Sequence, residues 1–217
     1  KWQKQPGTHT QTLNPCWDPE CETLGETMKL IGSTTSPYVR RIRILLDEEP
    51  YEFVNLNIYG EGRDELRRNN PTLKIPVLED GGQEIYDSRI IARYISAKQG
   101  RDPLTWDQEN QLTMVDGAND SAVTMLLSEK SGIDTGEDRM FYNLQRERIM
   151  TTLRTLAAMV EDAQFETWNY PAICLYCLVD WLDFRDLVDF SGVESLLSYR
   201  DSRRDYPWVA ETDPRNS

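Results

Sequence analysis

The side chains best placed for chemistry are the hydroxyls of Ser33, Thr34, Thr35 and Ser36, which fill a turn just before Pro37. Upstream, the apolar run from Lys29 to Gly32 reads as a buried strand; downstream, Val39, Ile42, Leu45 and Leu46 recur at helical spacing. Ser36 therefore falls at a strand-to-helix junction, with proline at the first helical position, where its missing N–H goes unused. A helix N-terminus presents unpaired N–H groups and partial positive charge, so an anion is stabilised beside it. A thiolate is the obvious candidate, because a hydroxyl can donate a hydrogen bond to sulfur without itself ionising. Simple N-capping accounts for Ser36 equally well, and the two roles are compatible.

Two further stretches carry polar chemistry at element boundaries. Ile75 and Pro76 precede a short apolar strand in NPTLKIPVLED at 70–80, where proline alone signals an edge strand or a strand start. Asp87 and Ser88 open a helix in YDSRIIARYI at 86–95, where an acidic N-cap is the ordinary explanation. The elements that position these residues alternate. Tyr51 to Leu56 reads as a strand, Gly62 to Arg68 as a short polar helix, and Pro76 to Leu78 with Gln83 to Tyr86 as a hairpin around Asp80-Gly81-Gly82. Ser88 to Lys98 reads as a helix. The order β-α-β-α-β-β-α is that of a thioredoxin-like domain.

Together, SPYVRR at 36–41, NPTLKIPVLED and YDSRIIARYI, in that order and spacing, resemble the N-terminal domain of a glutathione S-transferase, of the bacterial kind with a Ser-Pro-Phe/Tyr turn. The resemblance covers roughly Met28 to Pro214. It implies that Ser36 is the catalytic hydroxyl holding the glutathione thiolate, ahead of Ser33, Thr34 and Thr35. It further implies that Pro76 is a cis-proline presenting the Ile75 backbone to the tripeptide, and that Asp87 and Ser88 grip the γ-glutamyl end. Lys74 is either a partner for the glycyl carboxylate or a solvated lysine. The chain departs from the family in two places: Leu73 stands where glycine is common, and Ala172 where a capping box would have an acid. Glutaredoxins resemble the same domain but carry Cys-Pro-Tyr-Cys at this turn. With Ser36, Pro37, Tyr38 and Val39 there instead, dithiol chemistry has neither an attacking nor a resolving sulfur.

The expected function is therefore glutathione transfer to a small hydrophobic electrophile, with glutathione as co-substrate, no separate cofactor, and a role in detoxification. The electrophile would enter a pocket lined by Tyr38, Trp106 and Met114. A homodimer is implied, with Arg89 and Arg93 on faces that could meet the second copy. The alternative is a non-catalytic protein that keeps the fold to bind a partner, as stringent-starvation-type regulators do.

Composition narrows the classes. The chain has 217 residues, 39% of them hydrophobic and 28% charged, which suits a water-soluble globular protein with real cores. No apolar run reaches the length of a membrane span and no charged-then-apolar leader opens the sequence, so the expected location is cytoplasmic, away from any membrane. A net charge of −13 argues against nucleic acid as partner. The one basic cluster, Arg40, Arg41 and Arg43, reads as a solvated or partner-facing helix surface, although near the site it could help hold the anionic tripeptide. Of four cysteines, Cys174 and Cys177 lie in the apolar run PAICLYCLVDWL and read as buried structural thiols; Cys16 and Cys21 sit near the single histidine, His9. Neither a metal site nor a disulfide is expected.

The chain accordingly divides into three. Residues 1–27 are polar, broken by Pro6, Pro15 and Pro19, and read as an extension outside the enzyme fold, although Trp2, Leu13 and Trp17 could dock on a groove. Residues 28–100 form the thioredoxin-like α/β domain. After a linker at 99–105, residues 106–217 form an all-α bundle, with long helices over 106–131 and 137–163. The apolar helix from Pro171 to Phe184 is its spine, capped by Asn169.

Overall fold

The computed structural model describes residues 27–216. The expectations for Trp2, His9, Leu13, Cys16, Trp17 and Cys21, and for the rest of residues 1–26, lie outside the described residues. Four strands, β1 (Met28–Gly32), β2 (Tyr51–Asn55), β3 (Val77–Asp80) and β4 (Gln83–Tyr86), form one sheet in the order β2-β1-β3-β4. β1 runs parallel to β2 and antiparallel to β3, and β3 antiparallel to β4. The crossover between β1 and β2 is α1 (Pro37–Leu46); α2 (Arg63–Asn69) and α3 (Ser88–Lys98) complete the thioredoxin-like unit.

The continuous apolar character of β1 follows from burial on both faces. Leu30 and Leu78 point into the main core with Val39, Ile42 and Ile91, whereas Ile31 and Val77 join Leu56 and Leu66 in a smaller cluster on the α2 side. At the end of β1 a Cβ on Gly32 would lie 2.4 Å from Val39 Cγ2, so glycine lets the strand close down on α1.

The second half is helical, as expected: α4 (Trp106–Lys130), α5 (Met140–Glu161), α6 (Tyr170–Phe184) and α7 (Glu194–Asp201), with a 3₁₀ turn at Pro214–Asn216. α4 starts with a reciprocal capping box between Thr105 and Gln108. α6 has only half of one: Asn169 Oδ1 accepts from Ala172 N–H at 3.2 Å, and Ala172 has no side chain to return the bond. Every residue of α6 from Tyr170 to Leu182 is buried, which makes it the spine of this half. Sequence periodicity did not reveal α7, a helix of only two turns anchored by Leu196 and Tyr199.

The basic cluster on α1 is not a solvated or partner-facing surface. Arg40 and Arg41 are 3% and 4% exposed, and Arg43 stacks its guanidinium over Phe53 at 4.4 Å. The reason is that α1 is covered twice, by the sheet on one side and by α4 and α6 on the other, and acids on those helices meet the arginines. Arg40 pairs with Asp180 of α6 and reaches the Val209 carbonyl at 3.0 Å and Thr212 Oγ1 at 3.3 Å. Asp180 also receives Arg215 at 2.9 Å and faces Arg200 at 3.6 Å, so one buried carboxylate gathers α1, α6, α7 and the last turn of the chain.

Burial works against the Asp180 charge, but hydrogen bonds from Arg215 and the field of Arg40 outweigh it and hold the carboxyl below its usual range. A depressed folded-state value contributes stability above the unfolded value of about 4, and that contribution is lost as pH falls through the folded one. Asp180→Asn is expected to cost about 3–5 kcal/mol at neutral pH, because it strands buried arginines. The gap to the parent should begin to narrow below about pH 4, where the unfolded chain takes up the proton, and close only as pH falls through the lower folded-state value. Thermal unfolding followed by circular dichroism between pH 3 and 8 checks this; a gap independent of pH would contradict it.

Candidate functional site

Strand register gathers the candidate residues at one end of the sheet. Ile31 of β1 lies opposite Val77 of β3, and Val77 opposite Tyr86 of β4. The end of β1, the start of β3 and the end of β4 therefore share an edge. Ser36, Ile75-Pro76 and Asp87-Ser88 sit just beyond those three strand ends.

Ser36 is the N-cap of α1, in extended conformation with φ −87° and ψ 126°, and it is half-buried. Its Oγ accepts from Val39 N–H at a long 3.4 Å, and its N–H donates to the Ser33 carbonyl at 3.0 Å. Because Oγ serves as acceptor inside the cap, its own hydrogen is available to an anion outside. Of the neighbouring hydroxyls, Ser33 Oγ and Thr35 Oγ1 lie 3.3 Å apart and engage each other, while the Thr34 backbone N–H donates to Asn55 Oδ1 at 3.3 Å. From α6, the Trp181 indole donates to the Thr35 carbonyl at 3.1 Å and fixes the turn from the helical half.

The Ile75–Pro76 peptide is cis. The loop before it is shaped by Asn70, which is 1% exposed. Asn70 Nδ2 donates to the Lys74 carbonyl at 2.7 Å, and its Oδ1 accepts from Thr72 N–H at 2.9 Å and Thr72 Oγ1 at 2.8 Å. Leu73 has φ 56°, the left-handed region that favours glycine, so the loop keeps a glycine-type backbone without the glycine. The Lys74 side chain is exposed.

Asp87 caps α3 at φ 69°, another positive value, and its Oδ1 accepts from Arg89 N–H at 2.8 Å. Ser88 is 2% exposed; its carbonyl accepts from Tyr170 Oη at 2.9 Å and its Oγ from Arg41 Nη2 at 2.5 Å. Sequence reasoning missed Asp116 and Tyr170 as neighbours of this end of the site, and reached Arg41 only as one of a basic cluster near it. The available signal was a charge in an apolar stripe: Arg41 shares its helix face with Tyr38 and Leu45, a placement that implies a buried partner.

One other expectation is corrected. Trp106 is 85% exposed on the first turn of α4, too open to line an enclosed pocket. Arg89 is half-buried; it pairs with Glu109 at 2.5 Å and approaches Asp116 at 3.9 Å within its own chain. Tyr38 is half-buried, and its phenol donates to Asp120. Burial, then the hydrogen bond and charge of Asp120, push it far above its ordinary value, so Tyr38 stays protonated and committed to that acid. Cys174 and Cys177 are free and buried on α6, where burial pushes their thiols up to about 11 and about 12.

The glutathione S-transferase N-terminal domain family model matches residues 30–103. Over 171 residues the chain is 33% identical to the uncharacterized GST-like protein YibF of Escherichia coli (strain K12), covering 73% of this chain and 83% of that protein. The chain belongs to the glutathione S-transferase family. It is also similar to glutathione S-transferase 4 of Zea mays, 36% identical over 93 residues, or 41% of this chain and 42% of that one. Among solved folds, a glutathione S-transferase from Methylobacillus flagellatus KT with glutathione bound superposes with a TM-score of 0.76 at 22% identity, over 87% of this chain and 100% of that one. A family member from Pseudomonas fluorescens Pf-5, also with glutathione bound, gives 0.73 at 24% identity over 87% and 99%.

The left-handed leucine generates a prediction. A side chain at positive φ costs about 1–2 kcal/mol, partly offset by the about 0.5–1 kcal/mol that glycine loses in backbone entropy. Leu73→Gly should therefore raise stability by about 0.5–1 kcal/mol, since Leu73 is 43% exposed and gives up little burial. A higher urea midpoint at unchanged slope is the expected result; a lower midpoint would show that the Leu73 side chain packs where its exposure says it does not.

Proposed function

We propose that the protein conjugates glutathione, holding its sulfur as a thiolate at the head of α1 for attack on a small hydrophobic electrophile. The observation that carries this reading is the state of Ser36: an N-cap hydroxyl whose oxygen accepts from the helix and whose hydrogen is left for an anion. Free glutathione has a thiol value near 8.5, so little of it is nucleophilic at neutral pH. A hydroxyl donor, reinforced by the first N–H groups of α1, favours the charged sulfur and lowers that value. The Ile75 backbone pairs with the cysteinyl segment, and Asp87 and Ser88, at the head of α3, take the γ-glutamyl ammonium and carboxylate. Family membership and the glutathione bound by proteins of the same fold support this assignment. The working unit is a homodimer, for which the exposed Ile90 and Arg93 of α3 provide surface.

The test is retention on immobilised glutathione together with turnover of a model aryl halide. One hydrogen bond to a charged group contributes about 1.5–3 kcal/mol, so Ser36→Ala should lower kcat/KM by about 10- to 100-fold. The thiolate limb of the pH–rate profile should move upward by about 1–2 pH units. Turnover unchanged by the substitution removes Ser36 from the role. A folded dimer with no affinity for glutathione would favour the non-catalytic, partner-binding alternative.

A further inference from the structure

Resting on the reading of Ser36 as the hydroxyl that holds the glutathione sulfur, we propose that Tyr59 and Lys130 are a pair of positioning residues whose contact closes the outer wall of the electrophile site and confines the substituent carried on that sulfur. The Lys130 ammonium lies over the Tyr59 ring, 5.8 Å from its centroid. Tyr59 belongs to the loop between β2 and α2, and Lys130 is the last residue of α4, so one contact joins the two halves of the molecule.

The place of that contact follows from others around the head of α1. β2 ends beside the turn that leads to Ser36: the Leu56 N–H donates to the Gly32 carbonyl at 2.7 Å, and Asn55 Oδ1 accepts from the Thr34 N–H. On the other side, Arg41 meets Asp116 and Tyr38 meets Asp120, so α4 runs antiparallel to α1. From Asp120 it continues to Lys130, about 15 Å further at the usual helical rise, and its last turns project past the head of α1. The turn at 33–36 is thus the floor of a cleft between the loop at 57–62 and the end of α4, and the Tyr59–Lys130 contact spans its mouth. The loop is wound to hold Tyr59 out. The Asn57 carbonyl accepts from the Gly60 and Gly62 N–H groups, both at 3.1 Å, which sets Ile58 against the small core cluster and leaves Tyr59 65% exposed. Neither partner is otherwise engaged: among the described residues Lys130 makes no ion pair and the Tyr59 hydroxyl no hydrogen bond. The helix dipole favours a lysine at this end of α4, but it gives no reason for an aromatic ring to stand beneath it. A cation on an exposed aromatic face favours the closed arrangement by a factor of about two to five, weak enough to part for an electrophile and to close again on the substituted sulfur.

Calorimetric titration of the full chain with glutathione and with S-hexylglutathione tests this. The two ligands share the tripeptide, and only the second carries a substituent into the cleft. Lys130→Gln and Tyr59→Leu, which keep most of each side chain's bulk, should each weaken S-hexylglutathione about two- to fivefold and leave glutathione unmoved. The double variant should lose no more than either single one, because both changes remove the same contact. Additive losses, an equal loss for both ligands, or unchanged S-hexylglutathione binding in either single variant overturns the inference and leaves the glutathione site as read. A parent protein that binds neither ligand overturns the reading beneath it, and the inference with it.

Discussion

The structure depends on the pairing of two adjacent arginines of α1 with acids of the helical half: Arg40 with Asp180, and Arg41 with Asp116. Taking two guanidinium groups out of water is costly, and only partners with good geometry and further hydrogen bonds compensate. Arg40 has those in Val209 and Thr212, Arg41 in Ser88. A slip of α1 against α4 or α6 would leave buried charges unpaired, so the pairs fix its register. Since Ser36 is the cap of α1, its place is set from the second half of the chain as much as from the strand that precedes it.

This explains what could be read from sequence and what could not. The elements of the α/β half follow from local rules: a run buried on both faces for β1, a Ser-Pro start for α1, a Gly-Gly turn between β3 and β4. Those rules need only neighbours in sequence. The same rules misplaced Arg40 and Arg41: a charge in the apolar stripe hints at burial, but nothing local says which carboxylate, 140 or 75 positions away, meets it. Trp106 failed for the mirror reason: an aromatic residue suggests a pocket, yet it falls on the open side of the first turn of α4. α7 was missed because eight residues give too few repeats for a period to show.

Within the site the three segments differ in how they are built. Ser36 is held by its own helix, through Val39 and Ser33. The loop before Pro76 is held by a single buried asparagine, and tightly enough that Leu73 accepts a backbone suited to glycine. Ser88 is held from outside its helix, by Arg41 and Tyr170. Asp87 and Leu73, both at positive φ, flank the edge where the strand ends converge, and surrounding structure must over-determine such residues for them to persist. A departure from the family pattern at 73 is therefore absorbed by side chains around the loop without redirecting the backbone.

Net charge sharpens the argument about what can attract an anion here. At −13 the protein as a whole repels an anionic tripeptide, and long-range steering works against association. On the proposed reading, attraction comes from groups effective only at short range, chiefly the amide ends of α1 and α3. A buried charge is screened much less by salt than an exposed one, whereas the acidic exterior fades within about 10 Å at ordinary ionic strength. The two effects act at different distances, so an acidic exterior is compatible with anion binding at the heads of α1 and α3.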